Sequence, residues 1–278
     1  MDDTINDFRK ELQGLGYSKT AVDNYPKYAQ KLLAYTKETA LKISDQHIKN
    51  YHEYLKTKPS RITKKTISES HIYSQLLAIK LYFDYLERTR IIKRNPYNLK
   101  IKQPTKKERK VFTQEEIQEL YKHCQNSIEK TILHLCYGCG LRRNEVELLN
   151  LKDVNFEQKL LFIRKGKGKK RRVIPLTEAI VKDLNEYCIY TEIYRKETRE
   201  SFLINSLGNP IKGSTIYKTF KKTLQRTQSL KPENYCLHSL RHSIATHLLE
   251  NEMSIEMVRD FLGHNQLVST QIYTRINF

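Results

Sequence analysis

Residues 236 to 274, CLHSLRHSIATHLLENEMSIEMVRDFLGHNQLVSTQIYT, hold His238, Arg241, His242, His247, His264 and Tyr273, a dense run of proton-handling and anion-binding side chains. Nothing else in the chain is so loaded. Two cations elsewhere sit in settings that suit an anion. Arg142 follows the tight Gly-Cys-Gly turn at residues 138 to 140, which places it at a helix start, where free backbone N–H groups favour negative charge. Glu145, one turn on and on the same face, is able to hold that guanidinium by a bidentate pair. Lys167 lies between Gly166 and Gly168 at the tip of an expected β-hairpin. Taken singly, an ordinary surface ion pair and a solvated lysine explain these two features equally well. Taken together, the set suits phosphoryl transfer. Two arginines clamp a phosphate whose charge rises in the transition state, and histidines or a lysine move protons. A tyrosine, with an ordinary pKa of about 10, needs local positive charge or a base to attack near neutral pH.

The composition points to the substrate. Lys and Arg number 50 against 31 Asp and Glu, a formal net charge of +19, which favours a polyanionic partner, with nucleic acid first. An anionic membrane is the competitor, but the sequence has no apolar run long enough to span one, no signal-peptide pattern and no lipidation motif. The expectation is an intracellular, soluble, cytoplasmic and nucleoid-associated protein. Five scattered cysteines in such a chain predict reduced thiols. Cys136 and Cys139 form a C-x-x-C without a second pair to complete a zinc ribbon, and are read as small apolar residues at a helix end. His238, His242 and His247 have ligand-like spacings but no H-E-x-x-H, so no metal and no cofactor is expected.

The elements that must position these groups fall into two domains. The first reads as four helices. A short opening helix (Ile5, Phe8, Leu12, Leu15) closes at Gly14 and Gly16, and Ser18 caps a second carrying Tyr25, Tyr28, Leu32 and Tyr35, with Pro26 as a kink or late start. Ser44 or Asp45 caps a third (Ile48, Tyr51, Leu55), and Ile72, Leu76, Ile79, Phe83 and Leu86 define the fourth. Between the last two, Lys56, Lys58, Arg61, Lys64 and Lys65 crowd a loop with almost no acid, which is either solvated or a phosphate-contacting surface. Residues 1 to 110 carry 24 Lys and Arg against 12 Asp and Glu, which tips the reading towards DNA contact. Residues 98 to 111 are basic and aperiodic, as a linker is, and Thr113 to Glu116 form a capping box. Beyond it come an apolar helix ending at the Gly-Cys-Gly turn, a hairpin from LLFIR and RRVIPL, and a helix from Thr177. A weak strand at SFLI, a basic helix (Ile216, Phe220, Leu224) and the three terminal helical segments follow. In the first of these, His238 and Arg241 share a face and Leu240, Ile244 and Leu248 form the buried stripe; Ser254 caps the next and Gly263 ends it.

These residues resemble the tyrosine site-specific recombinases of the phage-integrase and Xer type. The likeness runs through G-L-R-x-x-E from Gly140, G-K-G from Gly166, H-x-x-R-H from His238, L-G-H from Leu262, and the tyrosine of TQIYT. It covers residues 110 to 275 strongly and the first hundred more loosely. It implies a mainly α fold with a small β-hairpin or sheet. Residues 1 to 100 would be a helical, SAM-like core-binding domain, 101 to 111 a linker, and 112 to 278 an α+β catalytic domain.

The resemblance also implies roles. Tyr273 attacks the scissile phosphate to give a 3′-phosphotyrosyl link, while Arg142 and Arg241 hold the non-bridging oxygens. Lys167 is the acid for the 5′-oxygen, His238 assists proton transfer at the tyrosine, His264 hydrogen-bonds the phosphate, and Glu145 orients Arg142. His242 and His247 are structural or surface residues. Rejoining needs neither ATP nor metal. Two exchanges through a Holliday junction, in a homo-tetramer or a hetero-tetramer with a related recombinase on paired core sites of double-stranded DNA, complete recombination. Only Thr274 to Phe278 follow the tyrosine, where many relatives carry a further helix that docks into a neighbouring subunit. If the chain ends there, subunits are expected to couple through another surface or weakly. With so short an N-terminus, no separate arm-site-binding domain is expected. Two other functions compete: a catalytically idle architectural relative, and type IB topoisomerase-like relaxation of DNA.

Overall fold

The structure, a computed structural model, describes residues 3–59, 66–105, 110–164, 171–196, 200–227 and 229–263. The chain divides into two compact units, Met1–Lys107 and Glu108–Phe278.

In the first unit, local capping sets the helix starts and apolar spacing sets their faces. Helices α1 (Asp3–Gly14), α2 (Lys19–Thr36), α3 (Asp45–Thr57) and α4 (Glu69–Arg88) account for most of it. The hydroxyls of Ser18, Ser44 and Ser68 each accept the backbone N–H three residues on, which satisfies a donor the helix cannot. Ile72, Leu76, Ile79, Phe83 and Leu86 are all buried, as their spacing predicts, and meet Phe8, Leu12, Leu32, Ile48 and Tyr51 in one core. Two expectations are corrected. The buried stripe of α2 is Val22, Pro26, Ala29 and Leu32, and its tyrosines flank that stripe, because phenolic oxygens are better left near water. Leu15 lies beyond the end of α1 and is exposed.

The second unit is helical around a small antiparallel sheet. Its elements are α5 (Gln114–Lys122), α6 (Ser127–Leu133), α7 (Arg143–Glu147), β1 (Val154–Asn155), β2 (Leu160–Ile163), β3 (Arg172–Pro175), α8 (Glu178–Thr191), α9 (Gly213–Arg226), α10 (Leu237–Glu250) and α11 (Ile255–Leu262). The sheet order is β1-β2-β3, with Leu161 opposite Ile174 and Ile163 opposite Arg172. Leu161, Ile163 and Ile174 point into a core shared with Phe112, Leu120, Leu141, Phe220 and Leu240. The fold is mainly α with a small β-sheet, as the sequence reading holds. The capping box at Thr113 and Glu116 forms as expected.

Three local features differ from expectation. SFLI makes isolated bridges (Asn150 with Ser201, Ile204 with Pro210) in place of a regular strand, since its buried side chains already pack into the core. The apolar helix before the Gly-Cys-Gly turn ends in a π-helical turn, His134–Gly138, closed by the Cys139 N–H to the His134 carbonyl at 2.8 Å. Helix α10 is buried on nearly all sides: Leu240 is in the core, but Ile244 and Leu248 are only half-buried, while Ser239, Arg241, Ser243 and Thr246 are buried.

Candidate active site

Arg142 is the N-cap of α7, so the backbone of the Gly-Cys-Gly turn and the first turn of the helix fix its position. Gly140 makes that turn possible. It has φ +59, and a Cβ there would lie 2.9 Å from Leu262 Cδ2 and 3.1 Å from Phe261 Cε1, so a side chain would both strain the backbone and push α11 away. Glu145 closes back on the cap: its Oε2 accepts the Arg142 backbone N–H at 2.9 Å, and its Oε1 accepts Arg142 Nη1 at 2.8 Å. The pair read from the sequence is formed, but not as the bidentate fork expected: one guanidinium nitrogen bonds Oε1, and the backbone N–H takes Oε2.

The same carboxylate serves two further arginines. Arg172, the first residue of β3, donates Nη2 to Oε2 at 2.9 Å and Nη1 to Oε1 at 3.2 Å, a bidentate pair with both side chains buried. Arg241, on α10 and 1% exposed, approaches Oε2 at 3.9 Å. Its own guanidinium donates to the Gly140 carbonyl and, at 2.5 Å, to that of Leu262. Arg142 Nη2 donates to the Gly263 carbonyl at 3.2 Å. Four chain segments thus converge: the turn and start of α7, the start of β3, the middle of α10, and the end of α11.

Electrostatics follow from this crowding. Burial alone would raise the Glu145 carboxyl, but the Arg172 hydrogen bonds and charge, followed by the Arg142 N–H and charge, bring its pKa down to about 2. Among the described residues, three guanidiniums share one buried carboxylate. The surplus positive charge makes this a place for an anion.

Of the other residues singled out in the sequence, His238 lies one turn before Arg241 on α10 but is exposed where Arg241 is enclosed, its ring edge-on to His242 at 4.8 Å. Lys167, His264 and Tyr273 lie outside the described residues, as do Arg61, Lys64 and Lys65. Lys56 pairs with Glu53 at 2.7 Å, and Lys58 Nζ sits 4.9 Å from the Tyr54 ring centroid, at the base of a loop that Pro59 and Thr66 bridge. His247 is structural: it bonds the Phe112 carbonyl and the Tyr137 hydroxyl, each at 2.9 Å. Cys136 and Cys139 are fully buried, and burial pushes each thiol up to about 12. No group of three His, Cys, Asp or Glu among the described residues is arranged to hold a metal. No helix among them is long and apolar enough to cross a membrane.

Arg172 was not singled out by sequence reasoning, although a signal existed. On a strand it shares phase with Ile174, which is in the core, and opposes Val173, which is half exposed. An arginine in the inward phase of a strand requires a buried anion.

The tyrosine recombinase XerA of Pyrococcus horikoshii is 35% identical over 170 residues, which span 60% of this chain and 57% of that protein's length. A tyrosine recombinase of Thermosipho africanus is 28% identical over 284 aligned residues, spanning 99% of this chain and 96% of that one. The fold matches the Tn1549 transposon integrase, solved in complex with transposon right end DNA, with a TM-score of 0.76 at 15% identity over 99% of this chain and 95% of that one. The phage integrase family model matches residues 110–278. The chain therefore belongs to the phage integrase family, the tyrosine recombinases.

Proposed function

We propose that this protein is a site-specific DNA recombinase that cleaves and rejoins strands through a 3′-phosphotyrosyl intermediate. The observation that carries the reading is the convergence of Arg142 and Arg241 beside a single buried carboxylate, with a surplus of positive charge. A phosphodiester gains negative charge as a nucleophile adds to phosphorus, and prepositioned guanidiniums stabilise that state more than the ground state. Tyr273 attacks phosphorus, and the 5′-oxygen leaves with a proton from Lys167. His238 takes the phenolic proton and returns it on rejoining, and His264 hydrogen-bonds the phosphate. Glu145 holds Arg142 in place. The phosphotyrosyl ester conserves the energy of the broken bond, so a new 5′-hydroxyl reseals the strand without ATP or metal.

Double-stranded DNA with paired core sites is the partner, in a tetramer that passes through a Holliday junction. The net charge of +19 supports a polyanionic partner. The first unit contributes the core-binding surface, with Lys56, Lys58, Arg61, Lys64 and Lys65 on DNA phosphates, and its position on the sequence read out by other side chains. The Tn1549 integrase, which shares this fold, was solved in complex with transposon right end DNA, and that likeness supports a DNA partner.

The test is covalent trapping on duplexes carrying a nick beside randomised core sequences. Wild-type protein is expected to form a denaturation-resistant adduct, and Tyr273→Phe none. Absence of any adduct from the wild type, or its persistence in Tyr273→Phe, would overturn the reading. Relaxation of plasmids with no preferred site would move it to a topoisomerase.

A further inference from the structure

The geometry points to Arg172 as a positioning residue for phosphoryl transfer, acting through Glu145 on Arg142 and through Gly263 on the turn that ends α11. This inference rests on the recombinase reading above.

Every side-chain hydrogen bond that Arg172 makes among the described residues goes to Glu145. Its Nε is buried without a partner. Its side-chain hydrogen bonds therefore act through that carboxylate. Glu145 in turn has two oxygens and four donors to satisfy: the Arg142 backbone N–H, Arg142 Nη1, and both terminal nitrogens of Arg172. With Arg172 in place the carboxylate is gripped from the β3 side. It then presents a fixed oxygen to each edge of the α7 cap, so the Arg142 guanidinium is held at its own pair distance and at the Gly263 carbonyl. Without that grip Glu145 keeps only its bonds to Arg142 itself, and the pair loses its anchor to β3.

A second contact runs to α11. Gly263 has φ +64, and a Cβ there would lie 3.0 Å from Arg172 Nη1 and 3.1 Å from its Cδ, so the Arg172 side chain lies flat against the backbone of that turn. Gly263 precedes His264, and its carbonyl accepts Arg142 while the preceding carbonyl accepts Arg241. One buried side chain at the foot of β3 therefore braces both the carboxylate that orients one arginine and the backbone turn that both arginines bond. Arg172 also begins β3, five residues after Lys167 in the sequence. A lysine in its place supplies the charge but not the planar fork, so it cannot hold both carboxylate oxygens at once.

The experiment compares Arg172→Lys with wild type in the nicked-duplex trapping assay at saturating DNA, alongside thermal melting and the salt dependence of DNA binding. Arg172→Lys is expected to melt close to wild type and to bind DNA with the same affinity and salt slope, because the buried side chain touches no phosphate. Its adduct rate is expected to fall about 10²-fold, the scale of a misplaced catalytic group. On a Glu145→Gln background the same substitution is expected to add less than tenfold, since its hydrogen bonds act through that carboxylate and only the packing on Gly263 remains. An adduct rate for Arg172→Lys within threefold of wild type would overturn the inference. So would a loss fully additive with Glu145→Gln, or a reduced salt slope showing direct phosphate contact. If Arg172→Lys fails to fold, Arg172→Gln with guanidinium ion added in trans is the second variant: partial recovery of rate supports positioning, and none overturns it. Wild-type protein that forms no adduct refutes the recombinase reading itself and is distinguishable from all of these.

Discussion

Two buried polar networks in the second unit use the same classes of side chain and differ in their balance of charge. In one, Tyr121, His134 and Asp183 form a chain: the tyrosine hydroxyl meets His134 Nδ1 at 3.0 Å and His134 Nε2 meets Asp183 at 2.7 Å. Burial outweighs the Asp183 hydrogen bond and holds the His134 pKa below its ordinary value, so the network is saturated without surplus positive charge. In the other, Arg142, Arg172 and Arg241 gather, among the described residues, around the Glu145 carboxylate. A balanced network ties helices together and asks for nothing more. An unbalanced one bears a standing electrostatic cost that a bound anion would relieve, which is how a binding site differs from a structural tie.

The largest effect that would break this comparison is expected at Glu145. Glu145→Gln leaves buried guanidiniums without their anion and should cost about 3–5 kcal/mol of stability, read by urea denaturation. Loss below about 1 kcal/mol would mean that the three arginines are not competing for one partner. The pH dependence sharpens this. Glu145 is held down to about 2 against an ordinary value of 4.5. Its contribution, about 3 kcal/mol, is therefore fully present above pH 4.5 and is lost as pH falls towards 2. The stability gap between wild type and Glu145→Gln should close over that window and stay constant above it.

Next in size, Arg142→Ala should lower the rate of adduct formation by about 10²–10³-fold at saturating DNA, with melting changed less than in Glu145→Gln. A rate unchanged by this substitution would place the anion elsewhere. In the balanced network the effects should be smaller and of another kind. His134→Gln is expected to cost about 1–2 kcal/mol while leaving the adduct rate within twofold. Because burial disfavours the imidazolium, the wild-type contribution is complete above the ordinary value of 6.5 and declines as pH falls below it. Stability measured from pH 7.5 to 5 should flatten in the variant. The smallest effect is expected for Gly263→Ala, about 1 kcal/mol from the positive φ and the crowded Arg172, visible as a few degrees in Tm.

Much of the scaffold was legible from local rules. Ser18, Ser44 and Thr113 cap helices where expected, and the stripe from Ile72 to Leu86 is buried throughout, because capping and 3.6-residue spacing act over one or two turns. The pairing of Arg142 with Glu145 was legible for the same reason. Features set by packing were not. The tyrosines of α2 have the spacing of a core face, but Val22, Ala29 and Leu32 fill it, since a neighbouring helix and not the spacing decides which stripe is covered. The π-helical turn before Gly140 carries no side-chain mark, because its distinction is a backbone bond one residue longer than in an α-helix.

The sequence by itself determined the chemistry on offer: the motif order from Gly140 to Tyr273, the basic charge, the helix start at Arg142 and the helix that carries Arg241. Tertiary structure alone decided that Arg172 belongs with Glu145 and that Arg142 reaches the Gly263 carbonyl, 121 residues away. It also decided that His238 is exposed while Arg241 is enclosed, although three-residue spacing puts them on one helix face. Local spacing fixes direction along one element. Which buried anion a guanidinium meets is fixed by how separate elements pack, and no short-range pattern encodes that.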